Sequence, residues 1–220
     1  MHQTEWSACV QFAQSMRSAI GETYRLADIN LCPVWTGMGR KILKLDNVNE
    51  IGKRHLRFSE CKQELEGYNL NKKYPITSIL KVSPMAELNR ETLQATVSVP
   101  RINTSTDLEN IQRLPYFRLI LCLGLVSDMM YNPDGRISKY KPVIDELNGE
   151  RISLIGEWLS TNDIISPQVL SVRLYEDLLP LLTDDVTVLL SMGVEFGTVG
   201  FGGVIEQVKR AGCGKILLCR

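Results

Sequence analysis

The sequence predicts an α+β protein in which an N-terminal helical hairpin precedes a mainly antiparallel β-sandwich or partly closed barrel. Three observations predict it. Apolar residues recur at three- and four-residue steps up to about residue 45. From Tyr68 onward they fall into short β-prone runs cut by Asn, Pro and Gly. Those runs do not alternate with helical patterns, as a parallel α/β sheet would require. The break divides the chain into a helical segment, residues 1–67, and a β-rich domain, residues 68–220.

In the first helix Trp6, Val10, Ala13, Met16 and Ile20 form a stripe, widened by Cys9 and Phe12, from Thr4 as N-cap to about Leu26. Pro33 suits the first turn of a second helix, with Val34, Met38, Ile42 and Leu45 on its apolar face up to Asp46-Asn47. A third, short helical piece runs from Ser59 as N-cap through Cys61 and Leu65 and stops at Gly67, which takes a left-handed conformation at little cost. Trp6 and Trp35 lie on the helical stripes and read as core residues.

The β-rich part opens with a strand over Ile76 to Val82, paired through a turn at Asn89-Arg90-Glu91 with Leu93 to Val99, where apolar and polar residues alternate. Phe117 to Val126 is almost wholly apolar, which suits a strand buried on both faces or a central sandwich strand; periodicity does not separate it from a buried helix segment, but Leu119-Ile120-Leu121 followed by Gly124 favours strand. Tyr131-Asn132-Pro133-Asp134-Gly135-Arg136 has the residues of a tight turn. Further strands are expected at Arg151 to Glu157, Leu170 to Tyr175, Val186 to Phe196 and Lys215 to Cys219; Leu170 to Leu182 also fits a helical stripe. In the Val186 strand, Val186, Val188, Leu190, Met192, Val194 and Phe196 share one face. Thr187, Ser191 and Glu195 are expected on a wet opposite face, and a covered face would oblige Glu195 to find an arginine or backbone donors.

Composition narrows function mainly by subtraction. With 25 basic and 25 acidic residues the formal net charge is +0, so no global field draws phosphate backbones or anionic lipid. Six cysteines without CxxC pairs read as free thiols of a reducing compartment, with an occasional bridge such as Cys213–Cys219 still compatible with the spacing. No apolar run is long enough to span a bilayer and the first residues lack a signal peptide, which makes a cytoplasmic address the default. The only histidines are His2 and His55, so Ser–His or Cys–His catalysis would rest on His55, whose basic surroundings read as a solvated face. No catalytic, cofactor-binding or metal site is assigned.

The glycines from Gly197 to Gly203 fit a hairpin loop, because they lack the strand–helix context of a Rossmann turn and Gly214-Lys215 is followed by Ile216 instead of Ser or Thr. Asp184 and Asp185 read as turn residues. Residues 40–73 are locally basic, and Lys53, Arg54 and Arg57 are the candidate nucleic-acid contacts, although Glu50, Glu60, Glu64 and Glu66 dilute the field.

Four stretches resemble an uncharacterised family of Bacteroidota proteins. Glu5-Trp6-Ser7-Ala8-Cys9 with Met16-Arg17-Ser18-Ala19 resembles its "EFGxA…IRxAL" helix, and Leu65-Glu66-Gly67-Tyr68-Asn69-Leu70-Asn71 its "LxGFxxN" stretch. Gly193-Val194-Glu195-Phe196 resembles a near-terminal "LGVEF" strand, and Lys41-Ile42-Leu43 with Asp46 and Gly52-Lys53-Arg54 makes the fourth match. The resemblance implies a helical head on a β-rich body and no catalytic residue. It also implies an upstream Gly-rich β segment, so that Met1 would be an internal or truncated start, and Trp6 stands where the family has Phe.

The expected function is that of a non-enzymatic structural or interaction protein, an assembly component with a protein partner or a second copy of itself covering a sheet edge or helical stripe. The alternative is nucleic-acid binding through residues 40–73. An enzyme would need a carboxylate- or thiol-based site around Glu195 or Cys61.

Overall fold

The computed structural model describes residues 3–136 and 138–220. The helical segment contains α1 (Gln3–Ala19) and α2 (Cys32–Leu43), joined by a 3-10 helix at Gly21–Leu26. The first helix is shorter than its stripe suggests because Gly21 adopts φ +46 and breaks the α-helical ladder. Thr4 lies inside α1 and its hydroxyl donates to the Gly52 carbonyl at 3.0 Å. Trp6 is half exposed, whereas Trp35 is fully buried. The buried face of α2 is Trp35, Thr36, Gly39, Ile42 and Leu43, rotated from the expected stripe, and Leu45 is 61% exposed. Gly39 sets that rotation: a Cβ there would lie 3.3 Å from the Cys9 backbone and 3.2 Å from Phe12, so the glycine marks where the two helices touch. Residues 58–65 form two short 3-10 helices with Ser59 inside the first, and Gly67 at φ +82 ends the pair.

Beyond them come α3 (Ile76–Ile79), β1 (Met85–Asn89), β2 (Gln94–Val99), β3 (Ile102–Asn103), α4 (Thr104–Asp107) and β4 (Tyr116–Ser127). Next are β5 (Met129–Tyr131), β6 (Tyr140–Pro142), β7 (Arg151–Ile155), β8 (Leu159–Ser160), β9 (Ile164–Ile165), β10 (Gln168–Arg173), β11 (Val186–Val199) and β12 (Ile205–Cys219). The strand expected at Ile76 to Val82 is a single helical turn. Pro75 caps it, with its carbonyl accepting from the Ser78 amide and hydroxyl, and Asn69 Oδ1 receives the Ile76 amide. Capping outweighs the β-propensity of the isoleucines there, and β2 pairs with β1 instead. Residues 168–182 combine both expectations, with strand β10 followed by a 3-10 helix at Glu176–Leu181.

The large sheet has the order β12-β11-β4-β7, with β8 also on β4, and every pairing in it is antiparallel. The small sheet, β1-β2-β10, packs on one face of it. Leu93, Ala95, Val97 and Val99 meet Leu119, Leu121, Leu123 and Leu125 of β4 and the even-numbered apolar residues of β11 in one core. The architecture is therefore a sandwich, and its sheets do not close into a barrel. Arg90, in the β1–β2 turn, donates to the carbonyls of Thr183, Val186 and Arg220 and so ties the small sheet to one end of the large one.

The opposite face of the large sheet is not wet. Thr187, Ser191 and Glu195 are each fully buried, because α1, α2 and the intervening 3-10 helix lie over them. Phe12, Met16, Trp35 and Leu43 share a second core with Val126, Met129, Leu189 and Ile216 from the strands. The approach is close because this face carries small residues. A Cβ on Gly124 would lie 2.0 Å from the Ala19 carbonyl oxygen, and Cβ atoms on Gly193 and Gly212 would lie 2.2 and 2.9 Å from the Leu26 side chain. Thr23 and Ser191 hydroxyls meet at 2.8 Å, and the Cys122 thiol donates to Ala19 O at 3.4 Å.

Among the described residues no helix is long and apolar enough to cross a membrane. All six cysteines are free thiols, Cys213 and Cys219 included. Gly124→Ala should cost about 3 kcal/mol or more, since backbone meets backbone, and Gly193→Ala about 1–2 kcal/mol, since the Leu26 side chain can turn aside. Urea denaturation of the two variants checks this, and equal losses would contradict the close-approach account.

Candidate functional site

The β11–β12 hairpin is the part of the sheet that leaves it. β11 is flanked by β4 and β12 up to Gly197, which pairs with Tyr116 at the start of β4. Past that point Thr198 and Val199 pair only with Glu206 and Ile205, so the ribbon continues as two strands. Its tip turns through Gly202 at φ +74 and Gly203 at φ +81, conformations that favour glycine. Phe201 there is 99% exposed, with Val204 at 64% and Val199 at 51%. The expected glycine-rich loop is therefore present, and it carries a phenylalanine that nothing among the described residues covers.

Two features anchor the base of this finger. Between Glu195↔Gly212 and Gly197↔Gln207 the register shifts, so that residues 208–211 of β12 bulge opposite Phe196 alone, with Arg210 at φ +61. Beside the bulge Glu195 is fully buried between two arginines. Arg118 Nε and Nη2 lie 2.6 and 2.5 Å from Oε2. Arg25 Nη2 donates to Oε2 at 3.1 Å, and its Nε sits 2.9 Å from Oε1, close enough for charge attraction but not aligned as a hydrogen bond. Arg25 also holds Glu22 at 2.6 Å, and Arg118 stacks 4.1 Å over the Trp158 ring. Trp158 in turn needs the glycine at 197, where a Cβ would lie 2.6 Å from its ring. Glu195 thus has the arginine partners that a covered face demands.

Lys53, Arg54 and Arg57 are each engaged by a carboxylate. Arg54 is held bidentately by the buried Glu5 at 2.8 and 2.9 Å, with the Gly52 amide adding a third bond to Oε1. Lys53 pairs with Glu50 at 3.0 Å and Arg57 with Glu60 at 3.1 Å, both on the surface. The paired carboxylates neutralise these three candidate contacts. The stretches behind the family resemblance lie along the seam between helices and sheet: Glu5 with Arg54, Gly67 to Asn71 hydrogen-bonded to β12, and Gly193 with Glu195 under Leu26 and Arg25.

His55 and Cys61 line one cavity of about 200 Å³, with Asp46, Arg57 and Glu60 on its walls. The chemistry there is not that of an activated thiol. Burial and the charges of Glu64, Glu60 and Asp128 raise the Cys61 pKa. Burial raises that of Asp46 too, but hydrogen bonds from the Asn49 side chain and the His55, Asn49 and Val48 amides outweigh it and hold the carboxyl well below its usual range. Asp46 organises its loop. His2 lies outside the described residues, and among them no group of three or more His, Cys, Asp or Glu side chains is placed to hold a metal ion. Neither Asp184 nor Asp185 departs from turn duty: both occupy the turn into β11.

Asp128 is the carboxylate that sequence reasoning missed. It is 2% exposed and receives the Ser59 amide at 2.9 Å and hydroxyl at 2.6 Å, joining the helical segment to the end of β4. Burial, with a smaller contribution from Asp185, pushes its pKa up to about 6 against the lowering effect of Ser59. Comparison with family models, with curated proteins and with solved structures returned no match.

Two outcomes are expected from these carboxylates. Glu195→Gln leaves two arginines facing a neutral group and should cost about 3 kcal/mol in chemical denaturation, whereas Lys53→Gln should leave stability unchanged. For Asp128 the folded state binds its proton more tightly than the unfolded chain. Its contribution is therefore full below the unfolded pKa of about 4 and is lost as pH rises to about 6. Asp128→Asn lacks that loss, so its stability relative to the natural chain should rise by on the order of 2–3 kcal/mol between pH 4 and 7. A pH-independent difference would refute the assignment.

Proposed function

We propose that this chain is a protein-binding, assembly-type component that engages another protein surface through the tip of the β11–β12 finger. The observation that carries the reading is Phe201, 99% exposed between Val199 and Val204 on a ribbon whose base is fixed by a buried ion network. A fully exposed phenylalanine gains about 1.5–3 kcal/mol when it enters an apolar pocket. A firmly based finger also loses little conformational freedom on docking. Glycines on both sides of Phe201 keep the ring clear of its own backbone neighbours, as a side chain aimed at a partner requires.

The alternative, nucleic-acid binding through residues 40–73, draws less support because Lys53, Arg54 and Arg57 are already paired with Glu50, Glu5 and Glu60. A catalytic role around Cys61 draws less still, since burial and the nearby carboxylates raise its pKa and so disfavour the reactive thiolate.

Light scattering coupled to size-exclusion chromatography, run at low and high salt, tests the proposal together with a photo-crosslinking residue in place of Phe201. The expected result is a discrete oligomer or a single crosslinked species, abolished by Phe201→Ser in the first assay. A monomer in every condition with no discrete adduct at position 201 overturns it.

A further inference from the structure

On the helical side of the molecule an open groove of about 240 Å³ is lined by Arg17, Ser18, Tyr24, Arg25, Arg151 and Glu22. It is separate from the finger tip and rests on different observations. Arg17 closes the last turn of α1 and lies 4.9 Å over the Tyr24 ring. Arg25 is fully engaged, with Glu22 at 2.6 Å and Glu195 below it at 2.9 Å. Arg151 opens β7 and crosses the groove floor, where a Cβ on Gly21 would lie 2.8 Å from its Cδ. Gly21 thus supplies both the φ of +46 that ends the helix and the space in which Arg151 lies.

The charge count in and beneath the groove is unbalanced. Arg17, Arg25, Arg118 and Arg151 face Glu22 and Glu195. Arg25 and Arg118 take up both carboxylates. Among the described residues Arg17 and Arg151 have no carboxylate within ion-pair distance, and the Ser18 hydroxyl between them makes no hydrogen bond. Arg54, Arg57, Arg173 and Arg220 each hold a glutamate, whereas other exposed arginines such as Arg40 and Arg113 are also without an ion pair among the described residues, so it is the meeting of Arg17 and Arg151 in one concavity that distinguishes the groove. Two unpaired guanidinium groups with a free hydroxyl in one concavity are the donor set that a phosphate group accepts from, because each planar fork can meet two phosphate oxygens.

We propose that this groove binds a phosphorylated small molecule, with Arg17 and Arg151 gripping one phosphate or diphosphate group, while Arg25, neutralised by Glu22 and Glu195, serves as a fixed wall. A nucleic-acid strand is the less favoured occupant. A polymer backbone needs a continuous track of cations, whereas the groove brings together only Arg17 and Arg151 as arginines without a carboxylate partner.

Isothermal titration of the full chain with inorganic pyrophosphate, inorganic phosphate and a short single-stranded oligonucleotide tests this. Pyrophosphate should bind saturably. Arg17→Gln and Arg151→Gln, both at exposed positions, should each weaken it about tenfold, while Arg57→Gln outside the groove leaves it unchanged. Failure of pyrophosphate and phosphate to saturate overturns the proposal, as does equal weakening by all three variants. An oligonucleotide that binds more tightly than pyrophosphate and depends on the same two arginines overturns it in favour of nucleic acid.

Discussion

Everything in this fold depends on how closely the turn from Ala19 to Leu26 approaches the large sheet. The Ala19 carbonyl lies where a side chain at position 124 would begin, and Leu26 fills the spaces above Gly193 and Gly212. Small residues on one face of three adjacent strands let backbone approach backbone, and the helices then cover the surface that remains. Without that contact the sandwich would have a solvated outer face and the helical hairpin would have no floor. Dispersion and burial act at their full strength only at such short distances.

That contact has an electrostatic consequence. Covering the face takes Glu195 out of water, and Glu5 is removed from water in the same way at the other end of α1. Each is met by arginine, with Arg118 and Arg25 on one and Arg54 on the other. The net gain of such buried pairs over apolar packing is small, but the loss on breaking one is large. They therefore fix orientation more than they add stability. The two pairs hold α1 and its following turn at two points, one near each end.

Much of the architecture was legible in the sequence, because it is written in periodicity. The strands at 117–126 and 186–196, the 131–136 turn and the glycine-rich loop all lie where alternation and turn residues put them. The 76–82 segment was not, since the capping that turns it comes from Pro75 and Asn69 and overrides isoleucine propensity. The wet face was misjudged for a different reason. Thr187, Ser191 and Glu195 are polar or small in order to let a turn pack closely, and a polar strand face looks the same whether water or a helix covers it. The signal that could have separated the two was the glycine content of that face, Gly124 and Gly193 in strands otherwise rich in large side chains. Of the candidate sites, the arginine groove was illegible because Arg151 joins Arg17 and Arg25 only through the fold. The exposure of Phe201 depends on where β4 begins.

The packing of the N-terminal turn on the late strands also orders events in time. Thr23 and Ser191 are 168 positions apart, and Arg25 and Glu195 are 170 apart. The helical segment therefore leaves the ribosome well before the strands that form its floor. Until β11 and β12 arrive, the stripe of Phe12, Met16 and Trp35 has only its own hairpin to hide in. Contacts of such long range close slowly. While the intervening residues are made, the nascent chain therefore carries an apolar surface awaiting its cover, the condition under which holding by a chaperone, and not intrinsic folding speed, decides the yield of native protein.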